Sequence, residues 1–482
     1  MERKRLLFAS VATIVVLAPL AWFWQASLIP GTYSVMDMGY LDYGGGSRSS
    51  AGHDGQHSMS LRDLVETTDR PADLVVNLSA QRKMFEVSTG HPFDGYTLND
   101  RSPGPAITAH VGELVEVHLR NTNVDDGITL HWHGVDVPNA EDGVAGVTQN
   151  AVGPGQKHTY RFVVDQVGTY WYHSHQVSHK QVARGLFGAL VVLPADGVGE
   201  DRDVTALAHT YAGTRTINGV AKDLHVDAAQ GQKVRVRAIN TDIGAMQVWS
   251  DSEYRVAAID GRDLNKPTPV SGEALTVTAG GRADLVVTSP ARVQIGGATA
   301  MLIGPSDAGV PKKPVQPTKR LDLLSYGSGA PISFDPTHAD RKFTYSVGRR
   351  PGFIDGRPGV WWTINGHLFP DVPMFVVREG EVIVMHIENH TGDAHPMHLH
   401  GHHAVVLSRD GKRSSGSPWW TDSLDVESGE RYDIAFVANN PGLWMDHCHN
   451  LVHAAQGLVA HLMYEGVTTP YKVGGHSKNS PE

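Results

Sequence analysis

Three stretches of this chain share one spacing. The first reads YTLND at 96–100 and continues Gly112-ELVEVHLR-Asn121. The second reads RTING at 215–219 and continues Gly231-QKVRVRAI-Asn240; the third reads WTING at 362–366 and continues Gly380-EVIVMHIE-Asn389. From Gly to Asn the interval is nine in all three, and from the preceding Asn99, Asn218 or Asn365 to that Gly it is 13, 13 and 15. Between Gly and Asn, apolar and polar residues alternate, which is the period of a strand with one buried face. Self-similarity of this kind means copies of one unit. Short strands broken by Gly, Pro and Asn turns predict a Greek-key β-sandwich for each copy. The expected fold is therefore all-β, with three consecutive sandwich domains at about 71–196, 197–335 and 336–468 and a tail at 469–482. A chain of 482 residues has room for three cores, and 52 Gly with 27 Pro favours turn-rich β structure over long helices.

The chain begins MERKR, followed by an apolar run from Leu6 to Trp24. A positive start and a run long enough to span a bilayer predict a signal peptide or membrane anchor over 1–26. A retained tether through residues 6–24 is the favoured expectation, with the body exported to the cell surface or beyond. Residues 27–70 are polar, contain GGGSRSSAG at 44–52, and are expected to be a flexible linker. Met36, Met38, His53, His57 and Met59 lie in that stretch as candidate copper catchers, but a solvated linker is the simpler reading. With 41 Lys+Arg against 51 Asp+Glu, the net charge of −10 argues against a nucleic-acid partner.

Histidines occupy matching places in only two of the copies. His131 and His133, in HWHG, begin ten residues after Asn121; His398 and His400, in HLHG, begin nine after Asn389. The middle copy has Trp249 at that place and no histidine nearby. Further on, Gly168-TYWY-His173-S-His175 parallels Gly442-LWMD-His447-Cys448-His449. Residues two apart on a strand point to one face, so each H-x-H pair offers two imidazoles to one side. If the first and third domains face each other, eight imidazoles converge, enough for three metal ions. Cys448 is the only cysteine, so it cannot form an intramolecular disulfide. Lying between His447 and His449 it points the other way, to a separate ion. A His2Cys donor set is that of an electron-transfer copper. His453 and His395, the latter set off by Pro396, would complete it.

At these residues the sequence resembles the three-domain multicopper oxidases, the laccase-like enzymes. HWHG, WYHSH, HPMHLHGH and HCHNLVHAAQGL match that family's four copper motifs in order and approximate spacing, over about 71–468. The resemblance implies cupredoxin-like domains and four copper ions per chain. Type 1 copper would be held by His395, Cys448 and His453, and type 2 by His131 and His398. One type 3 copper would take His133, His173 and His449, the other His175, His400 and His447. The implied reaction oxidises a small reducing substrate at type 1 in one-electron steps. The electrons pass through Cys448 to His447 and His449, and O2 is reduced to water. Leu458 falls at the axial place of type 1, where it cannot coordinate, and this should raise the reduction potential. Asp142 matches the family's acidic residue beside the cluster, as a proton relay or an orienting group. The other places where some members carry an acid hold Leu451 and Ala454 here, so a second proton path needs another group. Phenols or aromatic amines are the expected donors, with cuprous or ferrous ion the alternative. Asp422 and Asp425, carboxylates that could serve a metal donor, cannot be placed from sequence. A non-catalytic copper protein or a nitrite reductase would be expected to lack some of these ligands, and none is missing.

Overall fold

The computed structural model describes residues 2–47, 58–88, 91–306 and 312–482. His53 and His57 lie outside the described residues. Three sheet pairs follow one another along the chain. The first consists of two four-stranded sheets, the second of two six-stranded sheets, and the third of a six- and an eight-stranded sheet.

The repeated residues do the same work in each copy. Gly112, Gly231 and Gly380 have φ of 86°, 85° and 84°, a left-handed turn that favours glycine. The strands that follow them, Leu114–Asn121, Lys233–Asn240 and Val382–Asn389, each pair in parallel with a long earlier strand. Each strand ends in a buried Asn whose Nδ2 donates to carbonyls on two other segments: Val124 and Val152 for Asn121, Gly244 and Val277 for Asn240, Asp393 and Val426 for Asn389. Asn99, Asn218 and Asn365 also share a role. Each turns with φ near 52°, accepts an N–H (Ser79, Leu207, Ser346) and donates to a carbonyl two residues earlier (Asn77, Thr205, Thr344). Asn tolerates that conformation better than other side-chain-bearing residues.

Each sandwich has its own core, around Leu119 and Trp132 in the first, Val236 and Leu285 in the second, Phe375 and Trp444 in the third. A fourth apolar cluster lies at the seam, where Trp171 and Phe187 meet Leu207 and Ile239 of the second sandwich and Leu451 of the third.

The stretch expected as a flexible linker is pinned instead. Tyr40–Asp42 adds an edge strand beside Pro373–Val377, and Met59–Ser60 pairs with Val467–Thr468. Val35 and Leu61 are fully buried in the third core, with Met36 and Met38 packed on it. The physical reason is that two apolar anchors and a few ladder hydrogen bonds suffice to dock a polar segment on an open sheet edge. Composition averaged over the segment hides them. The tail also folds back: Val473–Gly474 pairs with Thr32–Tyr33. The helix Glu2–Ala26 is long and apolar enough to cross a membrane, and none of its apolar span is buried in the protein.

Candidate metal centre

Two sheets, one from the first sandwich and one from the third, carry the site. In the first, Gly168–His173 pairs with His131–His133 so that His173 stands beside His131. In the third, His395–Leu399 pairs with Leu443–Cys448 so that His398 stands beside His447 and Met397 beside Cys448. Cross-strand partners share a face, so register sends the histidine pairs to one side and Cys448 to the other.

Cys448, His395 and His453 form a compact triangle. Sγ lies 3.7 Å from His395 Nδ1 and 3.8 Å from His453 Nδ1, and the two nitrogens are 3.3 Å apart. A point equidistant from all three is about 2.1 Å from each, the length of a first-row metal bond to nitrogen and a little under that to sulfur. Burial pushes the thiol pKa up, so a proton would hold this sulfur neutral unless a cation replaced it. Burial and the His453 charge lower His395 to about 4. Leu458 is fully buried in the same core, and its carbonyl accepts the Cys448 N–H.

The eight other histidines converge, all buried to within 2 % exposure. Carbonyls hold most of their Nδ1 atoms: Asp142 O for His131 (2.9 Å), Ser174 O for His173 (3.1 Å), Pro481 O for His175 (3.1 Å), Asp422 O for His398 (2.8 Å) and Cys448 O for His447 (3.3 Å). A carbonyl only accepts, so each of these rings carries its proton on Nδ1 and turns an Nε2 lone pair inward. Those lone pairs face one another: His398 and His131 at 3.5 Å, His400 and His447 at 3.2 Å. The Nε2 atoms of His173 and His175, Nδ1 of His133 and both nitrogens of His449 are buried with no partner. The rings of His133, His173 and His449 stand 4.9–5.7 Å apart. Burial, then neighbouring imidazoles, holds His133, His175, His398, His400, His447 and His449 far below their ordinary pKa, so protons on these rings do not relieve the crowding. Donor atoms within 4.8 Å of one another fall into sets that include His175–His400–His447 and His131–His398–His400. A nest of inward lone pairs kept neutral fits cations and little else.

Asp142 sits at this nest, 1 % exposed. Its carboxylate lies 3.0 Å from His131 Nδ1 and 3.0 Å from His400 Nδ1. The Asp-Gly pair is a turn as well as a ligand holder. Gly143 has φ +74°, and a Cβ there would fall 1.8 Å from Leu130 O, closing the approach that lets Asp142 reach His131.

Asp422 does not lie at the Cys448 triangle. It is buried against the nest, with Oδ1 3.3 Å from His133 Nε2, and its carboxylate takes two 2.6 Å hydrogen bonds from Arg282. Burial alone would raise it; the Arg282 guanidinium, with His133 and His403, holds it well below the carboxylate range. Asp425 stands opposite Pro396, its carboxyl pushed up to about 6 by burial. Glu482 was not singled out by sequence. Ser178 Oγ donates to it, and its Oε1 lies 3.3 Å from His447 Nδ1. No local motif announces Arg282 or Glu482; folding alone brings them to residues far away in the chain. At the Cys448 triangle, half-buried His453 packs against Trp362 (ring centroids 4.4 Å), and Arg349 lies over that indole at 4.3 Å.

Family models described as multicopper oxidase match residues 79–197 and 334–466. Laccase-1 of Botryotinia fuckeliana is 28 % identical over 435 residues, 75 % of this chain and 77 % of that protein. The multicopper oxidase MmcO of Mycobacterium tuberculosis is 27 % identical over 441 residues, 76 % of this chain and 82 % of that protein. A crystal structure of a multicopper oxidase from Pseudomonas thermotolerans superposes with a TM-score of 0.68 at 25 % identity, covering 82 % of this chain and all of that one.

Proposed function

Because this chain belongs to the multicopper oxidase family, and is a copper-dependent oxidoreductase of cupredoxin-like domains that uses O2, we propose that it is a laccase-type enzyme oxidising phenols or aromatic amines. The observation that carries the reading is the set of neutral imidazoles whose lone pairs converge behind Cys448. Four copper ions per chain are assigned to the eleven ligands: one type 1 (His395, Cys448, His453), one type 2 (His131, His398) and two type 3 (His133, His173, His449; His175, His400, His447). Bound copper supplies one-electron redox capacity at the Cys448 triangle and at the nest.

The chain's own groups do the rest. Half-buried His453 presents an imidazole edge where a donor can approach, braced from behind by the buried indole of Trp362. Cys448 joins that edge to His447 and His449 through a few covalent bonds of one strand. Asp142 and Asp422 orient the ligand rings and keep their tautomers, the role outer carboxylates play at metal sites. Asp142 is also placed to hand protons to the nest, and Glu482 is a second carboxyl in reach of it. Organic donors are favoured over ferrous ion because Asp393, the carboxylate whose charge reaches both His395 and His453, is paired with Arg349 at 3.8 Å. The helix Glu2–Ala26 is assigned as a retained anchor, with the body exported.

Following O2 uptake by the copper-loaded protein tests the reading. Fast uptake with a phenolic dye and slow uptake with Fe(II) is expected. Fast uptake with Fe(II) alone would overturn the donor assignment, and no uptake with any donor would overturn the oxidase assignment.

A further inference from the structure

The N-terminal helix is fastened to the body at its exit. The strands Arg341–Ile354 and Arg357–Ile364 form a hairpin that turns at Asp355 and Gly356, with φ of 49° and 70°. Asp355 N–H donates to Ser27 O (2.9 Å), Gly356 N–H to Ser27 Oγ (3.1 Å), and Ile29 N–H to the Asp355 carboxylate (3.3 Å). A Cβ at Gly356 would fall 2.9 Å from Trp24 Nε1, so a glycine is what lets the indole come this close. The hairpin turn therefore stands at the end of the apolar span.

Between helix and hairpin lies a cavity of about 590 Å3. Leu20, Trp22 and Phe23 wall it on the helix side, Phe353 and Phe369 on the body side. Trp22 and Trp24 are 64 % and 46 % exposed, and indole rings bare at the end of a span are the mark of a membrane–water interface. The wall also carries Arg350. Register puts Arg350 opposite Trp361 and Arg357 opposite Ile354, so both arginines share one face of the hairpin. Both are exposed, and neither makes an ion pair or a side-chain hydrogen bond among the described residues. The neighbouring carboxylates are engaged: Asp371 with His367 at 2.9 Å, Asp355 with the Ile29 N–H.

The geometry points to a phospholipid site in this cavity: an acyl chain lies against Leu20, Trp22 and Phe353, and the headgroup phosphate meets Arg350. An apolar chamber with one membrane-crossing wall takes its occupant from the bilayer, and unpaired guanidinium groups select an anionic headgroup over a zwitterionic one. None of these residues belongs to the copper motifs. The bound lipid ties the hairpin to the membrane surface, so the body is held at a set height rather than swinging on its helix. Arg349 and Trp362 stand opposite each other farther along the same hairpin. Trp362 is five residues beyond Arg357, about 17 Å at roughly 3.3 Å per residue. Its indole packs against His395 (4.8 Å) and His453 (4.4 Å). The lipid thus fixes how far the Cys448 triangle stands from the bilayer. The site rests on the retained-anchor reading above and is independent of the oxidase reading.

Native mass spectrometry of the copper-loaded full-length chain, released from nanodiscs of mixed phosphatidylglycerol and phosphatidylcholine, tests the site. One phosphatidylglycerol should stay bound, with retention about tenfold lower in Arg350→Gln and in Phe353→Asp and largely restored in Arg350→Lys. Equal retention in the parent, Arg350→Gln and Phe353→Asp, or equal retention of phosphatidylcholine, would overturn the site. Displacement of the lipid by inorganic phosphate would overturn the lipid assignment and leave a free-anion site. N-terminal sequencing of the chain purified from membranes reads the anchor separately. A chain cut after Ala26 would overturn the anchor reading and the site with it; an intact helix with no lipid retained would overturn the site alone. No O2 uptake by a chain that retains the lipid would overturn the oxidase reading and not the site.

Discussion

Single side chains set the chemistry here, and three substitutions isolate them. Cys448→Ser removes the only thiolate. The expected outcome is loss of the blue absorption and of oxidase activity, with the copper of the histidine nest retained by metal analysis. Leu458 offers no axial donor, so Leu458→Met should lower the type 1 reduction potential, as read by redox titration of the blue band. Glu141 tests burial. Its carboxyl is pushed up from 4.5 to about 7 by burial, partly offset by the Arg161 N–H. A group raised in the folded state contributes its full stability below the unfolded value and loses it as pH rises through the folded one. Glu141→Gln cannot ionise. It should therefore gain stability over the parent between pH 4.5 and about 7, by at most about 3 kcal/mol. A constant difference between the two proteins in denaturant unfolding across that window would refute this.

Elements show where composition misleads. The residues 27–47 and 58–70 carry the signature of a linker, yet Leu61 is wholly buried and Tyr40–Asp42 completes a six-stranded sheet. Leu61→Ala should lower stability by about 2–5 kcal/mol, the cost of a large-to-small change in a closed core. A change within the ~0.5 kcal/mol usual for surface sites would mean that the segment is a free tether after all. The three repeat strands show the opposite case. Their Gly and Asn positions were legible because each answers a local demand: a left-handed turn, or an amide that can donate twice. The H-x-H pairs were legible for the same reason, since strand alternation alone decides that they share a face.

At the scale of the molecule, the three sandwiches meet on one guanidinium. Arg282, from the second, donates to Thr169 O of the first (3.0 Å) and forms its paired bonds with Asp422 of the third. The middle sandwich supplies none of the eleven proposed copper ligands, but through Arg282 it fixes the carboxylate beside His133 and His398. Removing one partner of a buried ion pair costs about 3–5 kcal/mol, and loss of an outer ligand partner costs about 10–100-fold in metal affinity. Arg282→Leu should show both, in thermal unfolding and in copper retention under a chelator. Arg282→Lys should rescue neither fully, because a lysine cannot match the two-pronged carboxylate contact. Sequence alone determined the three-sandwich fold and nominated the eleven candidate copper ligands with Asp142, because each depends on a backbone period or a motif a few residues long. Tertiary structure decided the partners: that Asp422 lies against the histidine nest and that Glu482 and Pro481 reach it. Those contacts join residues tens to hundreds of positions apart, and no short-range rule carries information over that distance.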